Sequence, residues 1–253
     1  QAVADKIDEL GADPVAAFIA EPIQGAGGVI IPPASYWPAV EKICRERDVL
    51  IISDEVICGF GRTGNWWGCE TFGFTPDLLT FAKAVTNGFQ ALGGVAVSDK
   101  ITDVLMSEEV DFSHGYTYSG HPVACAAGLA TLDLYKNNNL VKETATNLAQ
   151  YFGEQWRSLK DHPIVGESRS LGMLGAIELV RDKSSRERLA PNAAAASFCR
   201  NAAVGNGLMV RAVNDAMISA PPFVCSKEEI DLIISRLHQA LDTTARHYGI
   251  NKT

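Results

Sequence analysis

The chain has 253 residues, of which 47% are apolar and 21% charged, and its formal net charge is −8. That length buries one large core or two modest ones, and the composition is that of a globular enzyme. The acidic balance excludes nucleic acid and anionic membrane as main partners, since both are met by a basic face. Six cysteines (44, 58, 69, 125, 199 and 225) are scattered without a C-x-x-C pair. That spacing argues against zinc, and no metal site is expected; buried, reduced thiols of a cytoplasmic protein are expected instead. No stretch reaches the length of a membrane span and no charged-then-apolar leader opens the chain.

In chain order, residues 1–10 read as a helix already under way at Gln1, as in a chain that starts within a domain. Residues 15–20 form an apolar run ending at Glu21-Pro22. Gln24-Gly25-Ala26-Gly27-Gly28 follows as a tight turn; it lacks G-x-G-x-x-G spacing, and Pro32-Pro33 stands where a dinucleotide-binding helix would begin. Residues 36–47 are amphipathic, with Val40, Ile43 and Cys44 on one face. A strand through Leu50-Ile51-Ile52-Ser53 ends at Asp54. A glycine- and aromatic-rich loop (58–73) leads to a second strand, Leu79-Thr80-Phe81, which runs into Ala82-Lys83. Gly93 to Val97 reads as a further strand. Alternating strands and helices imply a mostly parallel sheet with right-handed crossovers.

Beyond Pro122 the pattern changes to helices over 123–135 and 141–159. A strand over 171–179, a helix over 193–204 and two short strands flanking Asn214-Asp215 follow. Ser226 with Glu229 forms a capping box that opens a last helix to about His247. The expected division is a large α/β domain over 1–150 and a smaller α+β domain over 151–253.

Asp54 and Lys83 carry the chemistry. Open α/β sheets bind ligands at the carboxyl ends of their strands, where both residues lie. An acid and an amine placed there suit pyridoxal phosphate, which needs a lysine for its Schiff base and an acid to keep its pyridine nitrogen protonated. By themselves the two residues leave other cofactor chemistries open.

Five blocks in order narrow the choice: Glu21-Pro22-Ile23-Gln24-Gly25, Asp54-Glu55-Val56 through Gly59-Phe60-Gly61-Arg62-Thr63-Gly64, Pro76-Asp77, Ala82-Lys83, and His114 through Pro122. Together they resemble the class III pyridoxal-phosphate aminotransferases, of fold type I, along nearly the whole chain. The resemblance implies that Lys83 forms the Schiff base and shuttles the substrate proton, and that Asp54 pairs with the pyridine N–H. It further implies that Val56 packs on the cofactor ring and that Thr117 donates to the phosphate in a neighbouring subunit. That last role implies a homodimer, or a dimer of dimers, with shared active sites.

Departures from the family pattern bear on substrate. Glutamate-handling members, such as ornithine and 4-aminobutyrate aminotransferases, carry Glu where this chain has Ala26 and Arg where it has Ile218. A glutamine that reaches the ring oxygen is replaced by Ile57. Arg211 instead matches the mobile, carboxylate-clamping arginine of the pyruvate-dependent ω-aminotransferase branch, a task that suits a guanidinium fork on a long stem. The expected reaction moves an amino group from an amine or ω-amino acid to pyruvate or a similar keto acid, by a ping-pong route. The alternatives are a 2-oxoglutarate-dependent aminotransferase, an aminomutase, or a truncated and catalytically silent fragment of such an enzyme. Family members also supply a phosphate-binding loop and a ring-stacking aromatic from sequence that would precede Gln1.

Overall fold

The computed structural model describes residues 1–11, 14–107 and 111–250. Contacts between them gather residues 1–23 and 32–141 into one compact unit, and residues 24–31 with 142–253 into a second. The excursion of 24–31 into the second unit leaves no trace in composition.

The first unit holds α1 (Ala2–Leu10), β1 (Ala17–Ala20), α2 (Tyr36–Arg45), β2 (Leu50–Asp54), α3 (Gly68–Phe72), β3 (Leu78–Phe81), β4 (Gly94–Val97), α4 (Asp99–Leu105) and α5 (Pro122–Asn137). Its sheet runs β1-β2-β3-β4; the first three strands are parallel, and β4 pairs antiparallel to β3. The apolar runs ending at Asp54 and Phe81 therefore form neighbouring parallel strands, with Ser53 opposite Leu79 and Asp54 opposite Thr80. On α2, Trp37, Val40 and Cys44 recur at helical spacing and are buried with Ile7, Val49, Ile51, Phe74 and Leu79. The Trp37 and Phe74 rings stack at 4.0 Å, and Trp37 Nε1 donates to the Pro22 carbonyl at 3.1 Å, which satisfies the indole's one donor.

Asp77 of the Pro76-Asp77 block is structural. Its buried carboxylate accepts from Arg45 Nη1 at 2.7 and 2.9 Å and from the Ile51 amide at 2.8 Å, so it locks the start of β3 to both α2 and β2.

The second unit holds the rest of α6 (Leu140–Glu143), then α7 (Ala149–Ser158), β5 (Val165–Leu171), β6 (Leu174–Asp182), β7 (Glu187–Arg188), α8 (Ala194–Gly205), β8 (Arg211–Val213), β9 (Ala216–Ser219) and α9 (Lys227–His247). Its antiparallel sheet runs β5-β6-β9-β8, with β7 also on β6. Phe152, Trp156, Ile177, Leu179, Met217, Leu237 and Leu241 are among the side chains buried in its core. The expected capping box is present: Ser226 accepts from the Glu229 amide, and Glu229 accepts from the Ser226 amide.

Two expectations need correction here. The helix over 141–159 is interrupted, because a π-helical turn at Thr144–Leu148 separates α6 from α7. The strand over 171–179 is really the turn and second arm of a hairpin. Leu171 ends β5, Gly172 takes a left-handed φ of 57°, and β6 starts at Leu174.

A buried polar group ties α9 to the turn after α7. The Ile164 amide reaches His162 Nδ1 at 3.4 Å, and His162 Nε2 lies 3.1 Å from Asp242 Oδ1. His238 Nδ1 lies 3.6 Å from the other Asp242 oxygen. The ligand atoms of His162, His238 and Asp242 lie within 4.8 Å of one another, at the junction of α9 and the turn after α7.

Candidate functional site

The candidate site lies in the first unit, at the carboxyl ends of β2 and β3. Asp54 is the last residue of β2 and is half-buried. Its Oδ1 accepts from the Val56 amide at 3.1 Å and from the Thr80 hydroxyl at 3.3 Å, while its Oδ2 makes no hydrogen bond among the described residues. One carboxylate oxygen is thus tethered and the other is available.

Lys83 lies two residues past the end of β3, where it opens a single 3₁₀ turn, Lys83–Val85. Its side chain is exposed and has neither an ion pair nor a hydrogen bond among the described residues. Its φ is 45°, in the left-handed region that a side chain with a Cβ seldom adopts. Such backbone strain persists only where the surroundings over-determine it, and it concentrates at functional sites. The turn is held by the Val85 amide on the Ala82 carbonyl (3.2 Å), the Thr86 amide on the Lys83 carbonyl (3.2 Å), and the buried Thr86 hydroxyl on the Gln90 carbonyl (2.6 Å).

Between the two strand ends sits a residue the sequence reading passed over. Glu55 is fully buried, and its carboxylate accepts from the Gly68 amide (2.7 Å), the Cys69 amide (2.8 Å) and the Ser53 hydroxyl (3.0 Å). Burial pushes its pKa up, and these donors together with the Cys69 thiol only partly offset that push. The clamp requires glycine at 68: a Cβ there would stand 2.7 Å from Pro22 and 2.9 Å from the Cys58 side chain. Glu55 therefore ties the loop of residues 56–67 to the end of β2. The signal available in the sequence was the acidic pair itself, since one of two consecutive residues at a strand end must face away from its neighbour.

Val56 is half-buried and follows directly on the Asp54 turn. Phe60, Trp66 and Trp67 pack among themselves and their neighbours: Phe60 against Trp67 at 4.9 Å and Phe81 at 6.0 Å, and Trp66 against Tyr135 at 5.9 Å. Thr117 lies in an exposed turn, with every residue from 111 to 123 exposed. Tyr116 and Tyr118 on either side of it are 76% and 80% exposed. In the second unit, Arg211 is exposed at the start of β8, opposite Ile218 of β9. Ala26 is exposed in the turn closed by an antiparallel bridge between Gln24 and Ile30.

Comparison with known proteins identifies the family. The family model of the class-III aminotransferases matches residues 1–241. The putrescine–pyruvate aminotransferase of Pseudomonas aeruginosa is 47% identical over 240 residues, covering 95% of this chain and 52% of that enzyme. The chloroplastic gamma-aminobutyrate transaminase 3 of Solanum lycopersicum is 42% identical, over 92% of this chain and 45% of that one. Among solved structures, an (S)-enantioselective omega-transaminase from Thermomicrobium roseum superposes with a TM-score of 0.91 at 42% identity, covering 96% of this chain and 54% of that one. The omega-transaminase of Pseudomonas jessenii, solved in complex with PMP, gives 0.92 at 36% identity, covering 99% of this chain and 56% of that one. The chain spans about half the length of the relatives it matches. With its strand-end acid and lysine and a match along nearly its whole length, the chain belongs to the class-III aminotransferase family.

Proposed function

We propose that this chain carries the Schiff-base lysine and ring-nitrogen acid of a pyridoxal-phosphate-dependent transaminase that passes an amino group from an amine or ω-amino acid to pyruvate or a similar small keto acid. The observation that carries the reading is the pairing of a tethered carboxylate at the end of β2 with an unpartnered amine just past the end of the adjacent parallel strand β3. Asp54 Oδ2 is a free acceptor for a pyridinium N–H, and Lys83 Nζ is a free nucleophile for an aldehyde, so the donor set fits the cofactor. When bound, pyridoxal phosphate supplies the electron sink that lets nitrogen leave one carbon and join another.

The residues divide the work. Asp54 keeps the ring nitrogen protonated through Oδ2. Lys83 would hold the cofactor covalently and, once freed by substrate, its Nζ would carry the proton between the substrate carbon and the cofactor's C4′ carbon. Val56 packs on a ring face. Thr117, in its exposed turn, donates to the phosphate held by a second copy of the chain, which makes the working form a homodimer or a dimer of dimers. Arg211 binds the keto-acid carboxylate through its fork and withdraws for an uncharged amine.

Pyruvate is favoured over 2-oxoglutarate by Ala26 and Ile218, which supply no charge for a second carboxylate, and the putrescine–pyruvate relative is consistent with this. One relative, the diaminobutyrate–2-oxoglutarate transaminase of Halomonas elongata, is 39% identical and keeps 2-oxoglutarate as the second reading. The deciding experiment loads the protein with cofactor, converts it with an amine donor, and supplies each keto acid in turn. Recovery of the visible absorbance with pyruvate and not with 2-oxoglutarate is expected. The reverse preference supports the second reading, and no lysine-bound cofactor, with no turnover of either acid, overturns both.

A further inference from the structure

We infer that Thr80 is the positioning residue that aims Asp54 at the cofactor's ring nitrogen, an inference that rests on the pyridoxal-phosphate reading above. An aspartate carboxylate turns about χ2 in a broad, roughly two-fold well, so a strand-end Asp does not by itself present a fixed oxygen. Here Oδ1 is held from two sides, by the Val56 amide at 3.1 Å and the Thr80 hydroxyl at 3.3 Å. Fixing Oδ1 sets χ2, and χ2 sets the position of Oδ2.

The two donors are not equivalent. The Val56 amide lies two residues along the same strand end and moves with Asp54. Thr80 belongs to the neighbouring strand, in direct register with Asp54, and its ladder position is secured by the Glu55 amide donating to the Thr80 carbonyl at 2.9 Å. It also stands three residues before Lys83 on the strand that delivers the amine. Its hydroxyl therefore ties the acid to the strand that runs on into the Lys83 turn. The 3.3 Å separation is long for an O–H···O bond.

The test titrates pyridoxal phosphate into the full chain and reads the visible absorbance of the lysine-bound form, with Lys83→Ala as the zero. Thr80→Val keeps the shape and removes the donor; it should weaken cofactor affinity about tenfold, as expected for one lost hydrogen bond to a charged group. Thr80→Ser, which restores the donor, should return affinity to within about twofold of wild type. Because Thr80 acts through Asp54, Thr80→Val should add nothing in an Asp54→Asn background. Should Thr80→Val fail to fold, Thr80→Ala replaces it, with unfolding curves as the control. Wild-type affinity in Thr80→Val, a Thr80→Ser as weak as Thr80→Val, or a full effect surviving in Asp54→Asn each overturns the inference and leaves the cofactor reading standing. A wild-type chain without the Lys83-dependent band removes both.

Discussion

Asp77 and Glu55 are both buried carboxylates, and they answer the cost of burial differently. Asp77 has a cationic partner in Arg45, whose side chain is 39% exposed and can return to water if the carboxylate is lost. Asp77→Ala should therefore destabilise the chain by about 2–3 kcal/mol, less than breaking a fully buried pair, with the orphaned Ile51 amide contributing part of the loss. Urea unfolding measures it, and a loss below about 1 kcal/mol would mean that the pair carries no more weight than a surface bridge. Glu55 has amides and a hydroxyl for partners, and burial raises its pKa above 4.5. A raised folded-state pKa means that the native chain holds a proton the unfolded chain has released. The associated stability is full below about pH 4.5 and is lost as pH rises through the raised value. The stability difference between wild type and Glu55→Gln should accordingly shrink across that window and then level off. A difference that grows with pH would show that the hydrogen-bond donors outweigh burial. Asp54 and Lys83 were legible because polar residues closing apolar strands announce themselves in one dimension. Thr80 and Glu55 were not, because their roles follow from strand register and from which way a side chain faces at a strand end.

At the scale of elements, the hairpin of β5 and β6 shows what a pattern reading misses. Alternation over 171–179 identified extended chain but could not distinguish the tasks of its two glycines. Gly172 turns the chain at φ 57°, whereas Gly175 lies under Trp156, with the ring atoms 2.7–2.9 Å from where a Cβ would stand. Trp156 is fully buried and its Nε1 donates to the Ala176 carbonyl at 3.1 Å, so the ring has nowhere to retreat. Gly175→Ala should cost about 1–3 kcal/mol through overpacking, the opposite of the usual gain from replacing a strand glycine. Neutral or improved thermal unfolding would show that Trp156 can move. The π turn at Thr144–Leu148 was equally hidden, since a single wide turn does not disturb helical periodicity enough to be read. The α9 cap was legible because its signal is local, and Ser226→Ala should lose about 1 kcal/mol in the same assay.

For the whole molecule, the cysteines report on both cores at once. Cys44, Cys58 and Cys69 are buried in the first unit and Cys199 in the second, while Cys125 and Cys225 are half-buried. Loss of hydration pushes the thiols of Cys58 and Cys69 up to about 12 and that of Cys199 to about 11, and it raises Cys44 as well. Thiolate is the reactive form, so at about pH 8 these four should resist a disulfide-exchange reagent both by burial and by protonation. At most two thiols should label in the native chain, at Cys125 and Cys225, and all six once it is denatured. Each unit has a hydrophobic core of its own, which allows the protection to be lost in two groups. In a urea series read by peptide mass spectrometry, Cys44, Cys58 and Cys69 should become reactive together, and Cys199 with the α8–α9 core. Exposure of Cys58 apart from Cys44 and Cys69 would break the first unit as a single cooperative body. It would also show that the loop clamped by Glu55 opens without the sheet that presents Asp54 and Lys83.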